Sequence, residues 1–156
     1  MSKSRTRTRK FLFQMLFART FGEVNKLDLV ESFFEGVFSS ELDMEYADKL
    51  FDIIVEREQF LLTIIKRFAS KFDISTMPKD VVFPIFIASS EMIFLDEEIP
   101  SSVSINEAIE LAKIYGDKSS KKLVNAVLDN ILAHIEEIKK EEFTNQDAGF
   151  SFFKEI

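Results

Sequence analysis

Arg5-Thr6-Arg7-Thr8-Arg9-Lys10 is the stretch of this chain best equipped for chemistry. A guanidinium fork sets two N–H donors against two phosphate oxygens, and threonine hydroxyls can donate to the same oxygens. Lys3, Arg5, Arg7, Arg9, Lys10 and Arg19 put six cations and no acid into residues 1–20, a local charge of +6. The whole chain carries −7; its 20 basic residues less those six leave 14 against 27 acidic ones, or −13 for the remainder. A basic arm on an acidic body points to a polyanion held at one end. The pattern does not separate RNA from DNA, and a solvated basic tail is the plain alternative.

Covalent chemistry has little to work with. The absence of cysteine excludes a disulfide framework, a thiolate zinc site, a cysteine nucleophile and a redox sensor. The single histidine, His134, sits among Ile131, Leu132 and Ile135 and reads as a surface or boundary residue, not a base. No P-loop, dinucleotide fingerprint or HExxH motif occurs. Asp96-Glu97-Glu98 lacks the spaced ligands of a calcium loop and reads as solvated. Binding without catalysis, cofactor or metal is therefore expected. No run approaches the roughly 18 apolar residues of a membrane span. Phe11 to Ala18 is broken by Gln14 and has no small-residue cleavage site, so no signal peptide and a cytoplasmic location are expected.

The arm needs a scaffold, and the remaining sequence predicts a helical one. The chain has 156 residues, 46% of them hydrophobic, with 18 Phe and no Trp, enough for one core built on large rings. Four glycines, three prolines and no Asn-Gly or Asp-Gly pair leave β-hairpins without support. Apolar residues recur at helical spacing instead. A first helix is expected from within residues 4–9 to about Phe21, with Gly22 as its stop. A second is expected over about Asp28–Phe38. One or two more are expected over Asp43–Lys71, with their joint at Glu56–Gln59. Pro78 suits the first turn of the next helix. That helix is apolar on nearly all sides to about Leu95 and belongs in the middle of a bundle, locally distorted at Pro84. Ser104-Ile105-Asn106-Glu107 reads as a capping box. Ser119 or Ser120 opens a last long helix with the stripe Val124, Val127, Leu128, Ile131, Leu132, Ile135, Ile138. Asn106 and Asn125 are expected to make structural hydrogen bonds. The fold class is thus all-α: a compact bundle of six or seven helices in two packed halves, about 1–74 and 75–142. A Phe-rich tail, 143–156, either docks on the body or stays loose.

A second passage is more specific. Ile99-Pro100, then Ile105-Asn106-Glu107-Ala108-Ile109-Glu110-Leu111-Ala112-Lys113, Tyr115-Gly116 and Lys122-Leu123-Val124-Asn125-Ala126-Val127-Leu128-Asp129 closely resemble the signature of the NusB family. These are small all-helical bacterial transcription antitermination factors. Arg5, Arg7 and Arg9 followed by Gln14-Met15-Leu16-Phe17 resemble the family's arginine-rich opening, and Glu91-Met92 its Glu-Leu pair. The resemblance spans about residues 5–135. Ala126 replaces a glycine and still lets helices approach closely.

The resemblance implies an RNA-binding adaptor that acts with the ribosomal protein NusE on the boxA element of nascent RNA. The complex joins NusA, NusG and RNA polymerase in antitermination on ribosomal RNA operons. It implies that Arg5, Arg7 and Arg9, flanked by Lys3 and Lys10, grip the RNA backbone. Phe17 stands where the family has Tyr, keeping a stacking face without the hydroxyl. Ser119, where an acid is common, and Leu123, where Phe is common, fall near the partner and RNA surface. Lys121 and Lys122, at a helix N-terminus, are further candidates for phosphate. The acidic body suits a basic protein partner. Four or five arm cations on phosphates would give log affinity against log salt a slope near about −3. Two other readings stay open. One is a purely structural helical homo-oligomer that associates through its apolar surface and Phe-rich tail; a homodimer is also compatible with RNA binding, since it would mask the partner surface. The other is an RNA-binding module in ribosomal RNA modification, with methyl transfer then expected in a separate protein.

Overall fold

The computed structural model describes residues 4–25, 28, 42–141 and 146–153. Among them are seven α-helices and no strand: α1 Arg5–Arg19, α2 Met44–Glu56, α3 Glu58–Phe68, α4 Lys79–Phe94, α5 Ser101–Tyr115, α6 Lys118–Ala133 and α7 Ile135–Glu141. A 3-10 turn, Ile74–Thr76, leads into α4. The helix expected over Asp28–Phe38 lies, Asp28 apart, outside the described residues.

Helix α4 is the axle of the bundle. Val81 through Ile93 are all buried, and α1, α2, α5, α6 and α7 pack around them. This is the expected place for a helix apolar on every side. Pro78 lies one residue before the helix as its N-cap, and α4 runs through Pro84 without ending. The missing Pro84 N–H leaves the Asp80 carbonyl without its usual partner four residues on. Within this buried run of α4 the polar side chains are Ser89, Ser90 and Glu91.

Local signals account for most helix ends. Ser4 Oγ accepts from the Arg7 amide at 3.1 Å and opens α1. Asp43 caps α2, and its own amide donates to Thr8 Oγ1 at 2.9 Å, which ties α1 to α2. The joint expected near Glu56–Gln59 is Arg57, whose φ of −105° and ψ of 18° break the helix between α2 and α3.

Two caps differ from the sequence reading. Ser104 and Glu107 form no capping box: Pro100 caps α5 and starts it at Ser101, four residues early. Ser104 donates instead to buried Glu91 at 2.7 Å, and Glu107 accepts from Thr6 at 2.7 Å. The capping box belongs to Asp117 and Ser120, so α6 opens at Lys118 and not at a serine. The last stripe is also broken. Helix α6 ends at His134, Leu132 turns partly outward, and the new start at Ile135 returns Ile138 to the core.

Gly116 ends α5, and its φ of −123° suits any residue. The need for glycine is steric. A Cβ there would press on the Asp80 carboxylate and meet Ser120 Cβ at 2.7 Å. The segment Gln146–Phe153 docks. Gln59 brackets it by accepting from the Ala148 amide at 2.8 Å and donating to the Phe150 carbonyl at 2.9 Å. Phe152 and Phe153 then lie against Phe83 and Phe86.

The Asp117 cap carries a pH prediction. The Ser119 hydroxyl first, then the Ser120 amide, hold its carboxyl below the ordinary 3.8. A lower folded than unfolded value means this stabilisation is present above pH 3.8 and lost as pH falls through the folded value. Thermal melts should show wild type ahead of Asp117→Ala near neutral pH, with the gap narrowing in acid. A gap that stays constant with pH contradicts the assignment.

Candidate nucleic-acid interface

The first turns of α1 carry the basic arm, and folding divides it. Arg5 keeps a half-exposed side chain, with Nε 3.7 Å from Asp43 and its guanidinium 4.6 Å from the centre of the Tyr46 ring. Arg7 is exposed. Arg9, expected on phosphate with its neighbours, is only 3% exposed. Its Nε donates to Glu91 at 2.8 Å and its Nη2 to the other Glu91 oxygen at 3.2 Å, while Nη1 lies 3.5 Å from Glu107. Placed 100° apart per residue, Arg9 faces inward when Arg7 faces out.

The threonines are divided too. Thr8 is buried and donates to the Ser4 carbonyl at 2.6 Å. Thr6 is exposed but directed at Glu107. Lys10 borders a small cleft of about 100 Å³ with Thr6, Glu107 and Glu110. Lys3 lies outside the described residues. Of the arm's three arginines, Arg5 and Arg7 are therefore the exposed ones, Arg5 beside Asp43, while Lys10 shares its cleft with Glu107 and Glu110.

The far end of α1 builds a different surface. Phe17 and Phe21, 41% and 77% exposed, meet edge to face at 5.6 Å. Lys79 Nζ stands 4.8 and 5.1 Å from the two ring centres and donates to Thr20 Oγ1 at 3.3 Å. Beside them opens a cleft of about 660 Å³, bordered also by Asp80, Tyr115 and Phe152. On its inner wall Phe13 stacks on Tyr115 at 4.1 Å, and Gln14 donates to the Tyr115 hydroxyl at 3.1 Å. Planar aromatic groups and a cation together suit a stacked base next to a phosphate.

The α6 start reaches the same end, because Ser120 donates to Asp80 at 2.6 Å. Ser119, Lys121 and Lys122 are exposed on its first turns and Leu123 is half-buried. The Ser119 hydroxyl donates to Asp117 at 2.6 Å. Asp117 already occupies this helix N-terminus, so anions there would meet the lysine side chains instead of the helix end. Asn106 and Asn125, expected to make structural hydrogen bonds, are exposed on α5 and α6. His134 ends α6 at the surface, its Nδ1 2.9 Å from the Asn130 carbonyl and its ring against Phe68.

Sequence reasoning missed Lys79, Phe21 and Asp80. Nothing in their local pattern marks them; only the approach of α1 and α6 to the start of α4 brings them together. Among the described residues no helix is long and apolar enough to cross a membrane.

The NusB family model matches residues 6–133. The chain is similar to the transcription antitermination protein NusB of Trichlorobacter lovleyi, with 35% identity over 129 residues, 83% of this chain and 90% of that protein. It is 33% identical to the protein of the same name from Carboxydothermus hydrogenoformans over 144 residues, covering 88% and 99% of the two chains. The solved structure of T. maritima NusB superposes with a TM-score of 0.73 at 29% identity, covering 92% of this chain and 99% of that one.

Proposed function

The chain belongs to the NusB family of transcription antitermination factors, and from that premise we propose that it binds single-stranded, boxA-like RNA together with the ribosomal protein NusE. The complex would join NusA, NusG and RNA polymerase in the cytoplasm and support antitermination on ribosomal RNA operons. This is a binding role, and the family is non-enzymatic.

The observation that carries the reading is the layout of α1. Arg5 and Arg7 stand at one end and the Phe17–Lys79–Phe21 cluster at the other. The ten residues from Arg7 to Phe17 span about 15 Å of helix. Phosphates would run along the arginine end while a base stacks on Phe17, with Lys3 and Lys10 adding charge near the start. Lys121 and Lys122 would extend the phosphate track, and Ser119 and Leu123 would border NusE.

The test is fluorescence anisotropy with a boxA-like and a scrambled RNA, with and without NusE, over a range of salt. With Arg9 inside the protein, about three phosphates neutralised by Arg5, Arg7 and one lysine predict a slope near −2. Arg5→Ala with Arg7→Ala should flatten it by about 1.4. Equal binding of both RNAs in every condition would refute the adaptor role. An unchanged slope in the double variant would remove the arm from it.

A further inference from the structure

Arg9 is held by more than one partner, and all of them come from helices other than its own. Glu91 on α4 takes its fork with both oxygens. Ser104 on α5 donates to one of those oxygens at 2.7 Å, and Glu107, also on α5, faces Nη1. Tyr46 on α2 places its ring centre 5.6 Å from the guanidinium carbon. Arg9 and Glu91 are almost wholly buried, at 3% and 0%. Such a planar, bidentate socket fixes a helix in rotation and in depth, which an apolar face alone does not.

Resting on the RNA-binding reading above, we propose that Glu91 is the positioning residue of the arginine helix. By holding Arg9 it locks α1 against α4 and α5 and turns Arg7 toward the RNA. Arg9 itself neutralises no phosphate. Two hydrogen bonds support the same arrangement from outside the socket: Thr6 to Glu107, and the Asp43 amide to Thr8. A helix released from the socket keeps its exposed cations but must be ordered again when RNA binds. The proposal therefore separates affinity from salt dependence.

The experiment combines RNA anisotropy across salt with hydrogen exchange of the α1 amides, on the full chain. Glu91→Gln should bind RNA about tenfold more weakly, the scale of a lost charged hydrogen bond, with the slope unchanged. Its α1 amides should exchange faster while those of α4 to α6 keep their protection. Arg9→Lys, which keeps the charge pair but not the fork, should fall between wild type and Glu91→Gln in both readouts. It also replaces Glu91→Gln if circular dichroism shows that variant unfolded. The apolar pair Arg9→Met with Glu91→Met should lose affinity at constant slope, whereas Arg7→Ala flattens the slope by about 0.7.

A flattening in the Met pair equal to that of Arg7→Ala would overturn the proposal, because Arg9 would then be a phosphate contact. Wild-type RNA affinity in Glu91→Gln would overturn it as well. If wild type binds no RNA, the functional reading fails, and exchange alone judges the socket: lost α1 protection in Glu91→Gln supports it and intact protection refutes it.

Discussion

Glu91→Ala, made with Arg9 left in place, is expected to destabilise the fold by about 3–5 kcal/mol. The carboxylate is wholly buried and satisfies the Arg9 fork together with the Ser104 hydroxyl. Its removal leaves a guanidinium in a buried site, with Glu107 3.5 Å away as its remaining carboxylate neighbour. An uncompensated buried charge costs far more than the pair contributes when intact. Replacing both partners by Met should therefore recover most of the loss, since the site then holds apolar groups of similar volume. Urea titration of the two variants measures this as a shift in midpoint at constant slope. A single variant no worse than an ordinary surface change, within about 0.5 kcal/mol, would mean that the pair is open to water.

The second large effect is expected at the tail. Phe152→Ala should cost about 3 kcal/mol, the low end for deleting a buried ring, because Phe152 lies at the edge of the core and not at its centre. The ring packs edge-on to Phe83 at 5.6 Å and to Phe150 at 4.8 Å. Its backbone amide donates to Glu58 at 2.7 Å, alongside the Ser151 hydroxyl at 2.5 Å and the Phe153 amide at 3.3 Å. Burial under the tail raises the Glu58 carboxyl above its ordinary 4.5, and these three donors only partly oppose it. A raised folded value stabilises the docked tail fully below pH 4.5, and this contribution is lost as pH rises through the folded value. A chain ending at Glu141 should thus show its largest stability deficit in mild acid and a smaller one near neutral pH. A deficit that does not change with pH would detach Glu58 from docking. A Phe152→Ala midpoint equal to wild type would mean that the tail does not pack.

Much of the molecule was legible from local pattern. The all-round apolar run of α4 and the joint at Arg57 both depend on residues a few positions apart. The Ser104–Glu107 box failed for an instructive reason. The spacing was right, but Pro100 began the helix earlier and a buried carboxylate 13 residues back, Glu91, offered Ser104 a stronger acceptor than a first-turn amide. Ser119 and Ser120 likewise looked like caps, but Asp117 holds the position, with Ser120 in the reciprocal role.

The basic arm divides the two kinds of knowledge most clearly. Composition and the order of residues along the chain established its charge, its asymmetry with the acidic body, the all-helical scaffold and the absence of cysteine chemistry. The family signature needed no coordinates either. Which cations face outward was decided only by tertiary structure. Arg5, Arg7 and Arg9 are equivalent as letters in an alternating run, yet a helix turns each successive residue by 100° and so cannot present all three alike. The carboxylates that sort them, Asp43, Glu91 and Glu107, lie 38 to 98 residues further along the chain. Lys79 meets Phe17 in the same non-local way, 62 residues apart. Charge is a property of the sequence, but burial and pairing depend on which distant segments the core brings together.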